Sequence, residues 1–333
     1  VKDKDTIGVL LLNLGGPDSI QAVKPFLYNL FSDREIIRLG PSFMQKPIAW
    51  LISTMRSPKT RKMYSLIGGK SPILDITMAQ AEALEKALNA EAKKIGSWED
   101  KNFSTSYPLN FLSSQPHFKV YIGMRYWHPF IKDTVDKILE DGINRLIVLS
   151  LCPHYSKVTT GSAIAEFKKT IKQFTVHSSQ FTVNYIEQWY DFPPYIEALA
   201  ELIAKGVAEF NGQRTRTTDT DILYSAHSLP ESSIKEGDPY LNHIKATITA
   251  INSSLVPRLS SLVKWHLSFQ SRSGPVKWLK PTTEETIIRL ANEGCKNLFV
   301  VPISFVSDHI ETLYEIDILY KGIAEKHGIN FKR

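Results

Sequence analysis

The sequence predicts an α/β fold of two similar halves, each a parallel sheet flanked by helices. Three observations predict it. Short β-branched or aromatic runs alternate with helical patterns, the signature of βαβ units and hence of parallel strands. With 333 residues the chain is long enough for two domains, at about 150 residues for each core. The chain also repeats itself at an offset of 152 positions, Pro129 matching Pro281, Thr134 Thr286, Val135 Ile287, Ile138 Leu290, Gly142 Gly294, Leu146 Leu298 and Val148 Val300. In both copies the glycine stands where a helix needs a left-handed C-terminal residue, and an apolar strand follows. The halves are read as residues 1–180 and 181–333, with the chain crossing back between them near its C-terminus.

The first strand is residues 7–12, ending at Gly15-Gly16-Pro17. The charged start before it resembles the first segment of a signal peptide, but no small-residue cleavage site follows the apolar run. Residues 39–55 carry Phe43, Met44, Ile48, Trp50, Leu51 and Ile52 together with two prolines, and read either as a buried helix or as an exposed apolar lip. Residues 78–92 form a helical pattern with Ala79, Ala83, Leu84, Ala87 and Leu88 on one face. Residues 94–116 are polar without a period and read as an insertion loop. Strands follow at 119–124, 145–151, 182–186, 221–225, 264–269 and 298–303, with helices at 131–140, 195–210 and 283–293.

Composition narrows the function. Hydrophobic residues make 43% and charged residues 22%, which excludes a disordered chain, and the longest apolar runs fall far short of the 18 or so residues that span a bilayer. Two cysteines, Cys152 and Cys295, are too few for a disulfide framework or a paired-cysteine metal site, so a reducing compartment is expected. Forty Lys and Arg against 34 Asp and Glu give a net charge of +6, which favours anionic partners. Basic residues neither run in blocks of five nor interleave with aromatics, so nucleic acid is not expected.

Two apparent phosphate motifs fail. Gly15-Gly16 lacks the GxGxxG spacing, and Gly69-Lys70-Ser71 has Tyr64 where a phosphate loop needs glycine. The informative residues lie in the second half. His227 follows the strand at 221–225, at the carboxyl edge of a parallel sheet, where open α/β sheets bind ligands. The strand at 298–303 leads into Ser304 to Asp317, where Ser307 or Asp308 suits a helix N-cap and places Glu311 and Glu315 on one helical face at the same edge. Like charges at that spacing disfavour a helix slightly, so they need a cation or a proton to hold, unless the face is simply solvated.

These blocks resemble the ferrochelatase family along nearly the whole chain. The matching stretches are Leu12-Asn13-Leu14-Gly15-Gly16-Pro17, Arg56-Ser57-Pro58-Lys59 through Tyr64, Ile67-Gly68-Gly69-Lys70-Ser71-Pro72, Tyr121-Ile122-Gly123-Met124-Arg125-Tyr126, Ser225 to Pro230 with Gly237-Asp238-Pro239-Tyr240, Phe269-Gln270-Ser271, Trp278-Leu279 and Ser307-Asp308-His309-Ile310-Glu311-Thr312-Leu313-Tyr314-Glu315. The resemblance implies two Rossmann-like domains around a central porphyrin cleft, and a lyase that inserts Fe²⁺ into a porphyrin to give haem with release of two protons. It implies His227 and Glu311 as the inner catalytic pair and metal contacts, and Asp308, His309 and Glu315 as a metal or proton path. It implies porphyrin walls from Leu14, Tyr64, Trp278 and Phe305, propionate partners in Arg56, Lys59 and Ser271, and pocket lining by Arg125 and Tyr126.

Iron insertion needs a base near neutral pH for the pyrrole protons, and His is the natural candidate. Fe²⁺ is a substrate, and no resident cofactor is implied. Animal members carry a cluster-ligating Cys where Lys157 stands, so no [2Fe–2S] cluster is expected. Cys152 and His154 replace the family's usual Tyr and Gln; Cys152 is expected to be buried. The chain ends at Arg333, where relatives continue into a further helix, and the oligomeric state is left open. Leu14 is apolar where coproporphyrin-using members have Tyr, which points to protoporphyrin IX, as does the apolar lip. The expected location is the cytoplasm, peripheral on the inner face of the membrane. Two alternatives stand beside this reading: a cobalt or other tetrapyrrole chelatase of the same fold, and a porphyrin or haem carrier without catalysis.

Overall fold

The computed structural model describes residues 6–37, 39–98, 116–175, 181–210, 220–259, 263–272, 274 and 276–333. In chain order the elements are β1 (Thr6–Asn13), α1 (Val23–Ser32), a 3₁₀ turn (Ser42–Met44), α2 (Gln45–Ser65), α3 (Ile73–Trp98), β2 (His117–Met124), α4 (Ile131–Glu140) and β3 (Arg145–Ser150). A short π turn (Lys157–Gly161) leads into α5 (Ser162–Thr175), followed by β4 (Thr182–Ile186), α6 (Pro193–Ala208), β5 (Thr220–His227), α7 (Glu231–Lys235) and α8 (Tyr240–Leu255). β6 (Trp265–Gln270), α9 (Thr283–Asn292), β7 (Asn297–Val301), a π-helix (Glu311–Tyr320), α10 (Lys321–Lys326) and β8 (Asn330–Lys332) complete the order.

The strands form two four-stranded parallel sheets, in the orders β2-β1-β3-β4 and β6-β5-β7-β8. These orders are the same permutation, so the sequence repeat is a structural one. It extends to single hydrogen bonds. At the end of α4 the Gly142 amide donates to Leu139 O and the Ile143 amide to Ile138 O; at the end of α9 Gly294 donates to Ala291 O and Cys295 to Leu290 O. Both are Schellman turns, and both glycines hold positive φ, 72° and 88°. Ahead of each helix the X-Pro bond, at Pro129 and at Pro281, is cis, and the proline carbonyl accepts from Met124 and Phe269 respectively.

The chain groups into two compact units, Val1–Ser57 with Pro72–Leu151 and Val158–Glu187, and Pro58–Ser71 with Cys152–Lys157 and Gln188–Arg333. The halves read from sequence meet at 180; the units meet after Glu187. Residues 188–333 stay in the second unit throughout, and the segments that change allegiance are 58–71 and 152–157, not the C-terminal stretch. Asp238 accounts for 152–157, its Oδ2 accepting from Ser156 Oγ and the Lys157 amide, both at 2.8 Å.

In the first unit β1 is buried on both faces, as central parallel strands are. Leu10 and Leu12 pack with Val135, Ile138 and Phe167, while Val9 and Leu11 face α3 through Ala81, Leu84 and Leu88. The helix read at 78–92 extends to Ile73–Trp98 and keeps Leu84 and Leu88 of the face read from sequence against the core, but turned so that Ala79, Ala83 and Ala87 are exposed while Thr77 and Ala81 are buried. Hydrogen bonding decides that rotation. The edge strand β2 needs partners for its free backbone groups. Glu85 Oε2 accepts from the Val120 amide at 2.7 Å, and Asn89 both donates to Phe118 O and accepts from Phe118 N. Of the insertion read at 94–116, residues 94–98 belong to α3 and 99–115 lie outside the described residues.

Residues 39–55 are not a buried helix. α2 presents Trp50 and Met55 at 56% and 72% exposure, and Phe43 just before it stands at 76%. Pro58 inside α2 has no amide for the Thr54 carbonyl, and Ser57 Oγ donates to that carbonyl instead. In the second unit, Gly206 of α6 lies so close to β7 that a Cβ there would meet the Phe299 ring at 2.1 Å.

Candidate active site

In the second sheet β5 lies between β6 and β7, so the chain leaves it in opposite directions at the β5/β7 boundary. Ligands bind in the crevice beyond the carboxyl ends of strands at such a boundary. His227 is the last residue of β5, and the segment after β7 brings Ser304, Phe305, His309 and Glu311 to the same edge. His227 Nδ1 lies 2.8 Å from Glu311 Oε2, with 32% of the histidine side chain accessible. The Phe305 ring stands edge-on to His227 and to His309, centroids 6.4 and 4.3 Å away.

Ser271, directly after β6, ties the carboxylates together. Its Oγ lies within donor reach of Glu311 Oε2 at 2.8 Å and of Glu315 Oε2 at 2.6 Å. The resemblance implies a porphyrin propionate as its partner; here it meets two carboxylates of the protein itself. Ser271 holds φ at 64°, and among the described residues no other non-glycine has positive φ. Gln270 fixes the same helix end, donating to Glu311 O at 2.9 Å while its own Oε1 accepts from Ser225.

Glu311 and Glu315 lie on a π-helix, not on the α-helix their spacing suggests, and neither Ser307 nor Asp308 caps it. The flanking residue is Ile310, without a side-chain cap, and the Thr312 hydroxyl closes the turn by accepting from the His309 amide. Winding at about 4.4 residues per turn, as i→i+5 bonding gives, brings Tyr320 back beside Glu311 and Glu315, where an α-helix would turn it to the far side. Glu315, Tyr320, Ser271, Trp278, Arg272 and Glu284 accordingly line one cavity of about 390 Å³.

Burial works against charge here, and the pairings decide each outcome. It pushes the Glu311 carboxyl up, but the charge and hydrogen bond of His227, with help from His309 and Ser271, bring it down to about 2. It pulls the His227 imidazolium down, yet Glu311 and then Glu315 outweigh that and raise it. Burial and the neighbouring Glu311 charge carry Glu315 up to about 7, despite its bond to Ser271. His309, desolvated, stays below its usual value, and its Nδ1 bonds the Ser307 carbonyl. The pairing therefore favours an imidazolium beside the Glu311 carboxylate, and Glu315 is a second carboxyl poised to take or give a proton near neutral pH. Tyr64, whose phenol burial and the Glu311 charge push up, belongs to this surround.

Asp308 is tied to the C-terminus, its charge still reaching His309. Arg333 holds it, Nη1 at 2.7 Å, while forking onto both oxygens of Asp317. In the first unit, Tyr126 is 1% exposed. Its hydroxyl donates to Asp33 Oδ2 at 2.7 Å, and the same oxygen accepts from Arg125 Nη2 and Ser162 Oγ, because a buried carboxylate requires such partners. Leu14 follows β1, its carbonyl accepting from the Tyr126 amide; Arg56 of α2 lies over the Phe31 ring of α1, and Lys59 is exposed one turn on. Cys152, expected to be buried, is half-buried. His154 is an anchor, its Nε2 bonded to Thr247 and its pKa pulled down to about 3 by burial. Sequence reasoning missed Asp33, Tyr240, Ser304 and Arg333; of these only Tyr240 stood inside a matched block.

The family description Ferrochelatase matches residues 6–333. The chain belongs to the ferrochelatase family. A ferrochelatase of Desulfotalea psychrophila is 49% identical over 322 residues, covering 97% of this chain and 89% of that protein. One from Geotalea uraniireducens is 48% identical over 326 residues, covering 98% and 90%, and one from Synechocystis is 45% identical over 329 residues, covering 98% and 77%. The solved structure SirB from Bacillus subtilis with Fe3+ aligns with 98% of this chain and 88% of its own at a TM-score of 0.48 and 10% identity, too distant to bear on either fold or function. Insertion of ferrous iron into a porphyrin to give haem, a lyase reaction, is the activity that goes with this membership.

Proposed function

We propose that this ferrochelatase uses protoporphyrin IX, and that His227 and Glu311 receive Fe²⁺ and the pyrrole protons. The observation that carries the reading is the 2.8 Å contact between His227 Nδ1 and Glu311 Oε2 at the carboxyl end of β5. Imidazole and carboxylate are both ligands for Fe²⁺, and incoming metal charge expels the imidazolium proton, leaving a base beside the ring nitrogens. Glu315, near 7, is matched to receive protons at neutral pH, and Ser271 links it to Glu311. His309 and Glu315 continue the path for metal or protons; Asp308 acts from the rim, under the hold of Arg333. Phe305, Trp278 and Tyr64, all of the second unit, supply apolar walls that favour a saddled ring, whose nitrogen lone pairs are accessible. Arg56 and Lys59, one turn apart on α2, suit propionates.

No [2Fe–2S] cluster takes part, because Lys157 stands at the position of the ligating Cys in animal members, and its Nζ donates to Glu236 O. The activity is tested anaerobically with Fe²⁺ and either protoporphyrin IX or coproporphyrin III, following porphyrin fluorescence and metalloporphyrin absorbance. Catalytic loss of protoporphyrin fluorescence, with slower turnover of coproporphyrin, is expected. Faster coproporphyrin turnover overturns the substrate, stoichiometric binding without turnover favours a carrier, and stoichiometric labile sulfide overturns the cluster-free reading.

We also propose that the enzyme sits in the cytoplasm against the inner face of the membrane through Phe43, Trp50, Leu51 and Met55. Among the described residues no helix is long and apolar enough to cross a bilayer. Exposed aromatics beside lysines suit an anionic interface, and Lys24 Nζ lies 5.1 Å from the Trp50 ring. Trp50→Ser is expected to weaken co-sedimentation with anionic vesicles by about threefold to tenfold. Unchanged partition would remove the lip from membrane contact.

A further inference from the structure

The backbone of His227 is held by side chains on the side where β7 has let go of it, while β6 still pairs with it through Gln270. β7 pairs with β5 only as far as Val301, opposite Tyr224, and the last main-chain bond on that side runs from the Ile303 amide to Ser225 O. One residue pair further on, the amide and carbonyl of His227 meet two hydroxyls. The His227 amide donates to Ser304 Oγ at 2.9 Å, and Tyr240 OH donates to His227 O at 2.9 Å. Ser304 Oγ and Tyr240 OH are 2.6 Å apart. Only one set of directions satisfies all three bonds. Tyr240 spends its hydrogen on the carbonyl, so Ser304 donates to Tyr240 and accepts from the amide, and each hydroxyl donates once and accepts once. The ring of bonds closes on a single residue.

This ring is itself anchored. The Tyr240 amide donates to Asp238 Oδ1 at 3.0 Å, and the other oxygen of Asp238 accepts from Ser156 and Lys157. Tyr240 and Ser304 are both buried, at 5% and 9% exposure. A buried hydroxyl pair is stable only when its bonds are made, so the two side chains and the His227 peptide constrain one another.

We propose that Tyr240 and Ser304 are positioning residues that hold the end of β5 so that the His227 imidazole meets Glu311. The inference rests on the reading of His227 as a member of the inner pair. Neither hydroxyl is free to contact porphyrin or iron, so their removal alters the rate and not substrate binding.

The test uses the full chain. Tyr240→Phe removes one oxygen, and Ser304→Ala removes the other; each is expected to lower kcat by about tenfold, with the KM values for porphyrin and Fe²⁺ within about twofold of wild type. Ser304→Thr, which keeps Oγ, is expected to recover most of the rate. In metal-free protein labelled with ¹⁵N-histidine, the His227 ring nitrogens are expected to shift in Tyr240→Phe and Ser304→Ala and to return in Ser304→Thr. Unmoved ring signals together with an unchanged kcat, or a loss that falls on KM alone, would overturn the proposal. If wild-type protein turns over neither porphyrin, the substrate reading fails, and the ring signals still decide whether these hydroxyls position His227.

Discussion

His227→Ala is expected to abolish iron insertion, lowering kcat by about a thousandfold or more, while porphyrin still binds. The substitution removes the imidazole that pairs with Glu311 at 2.8 Å and leaves a carboxylate facing the site without its strongest partner. Two functions go with it: a nitrogen ligand for Fe²⁺ and a proton acceptor beside the macrocycle. Binding should survive, because the imidazole covers little of a porphyrin face. Anaerobic turnover measures the first effect, and quenching of porphyrin fluorescence the second. Turnover within tenfold of wild type would show that neither the base nor the metal contact is His227.

Glu311→Gln is expected to lower kcat by about a hundredfold and to change how the protein responds to pH. The Glu311 charge holds His227 above its usual value, so its removal lets the imidazole lose its proton earlier, and the rising limb of the residual rate should move to lower pH. Stability should respond in the same window. Because the folded-state value of Glu311 is lowered to about 2, its contribution is present above the ordinary value near 4.5 and is lost as pH falls towards 2. His227, raised, contributes below its ordinary value near 6.5 and loses that contribution as pH rises through its folded value. The variant should therefore be most destabilised, relative to wild type, between about 4.5 and 6.5, with the difference shrinking in stronger acid. Denaturant titration across pH 3 to 8 checks this. A constant difference across that range would mean that the pair does not couple to folding.

The placement of the two central residues follows from features a chain shows in one dimension. β5 can be recognised by its run of apolar and β-branched residues, so the strand pattern alone puts His227 at a carboxyl edge. Glu311 and Glu315 are four apart in a segment that follows another strand of the same sheet, which brings them to that edge too. What periodicity does not show is the winding. An i,i+4 spacing fits both α and π geometry, and only Tyr320, returning beside Glu315 to line the same cavity, separates them. The face of α3 escapes periodicity for a related reason: alanines at i,i+4 look like a core stripe, but the edge of β2 needs the polar groups of Glu85 and Asn89 turned towards it.

By itself, the sequence determined the class of fold, the repeat down to its two Schellman glycines, the family, and the residues that meet at the end of β5. The family is written in blocks of matched residues, and the rest in spacing, because helices and strands have fixed periods and sheets place strand ends together. Only the tertiary structure decided how the polar groups of each unit are held. Asp33 gathers Arg125 and Ser162 from 92 and 129 positions away, Ser271 spans two glutamates, Arg333 takes Asp308, and Tyr240 with Ser304 encloses the backbone of His227. Each is a polar group that burial would leave without water and that finds its partner across a long stretch of chain. Such partnerships have no period, so they exist only once the packing has brought their members together.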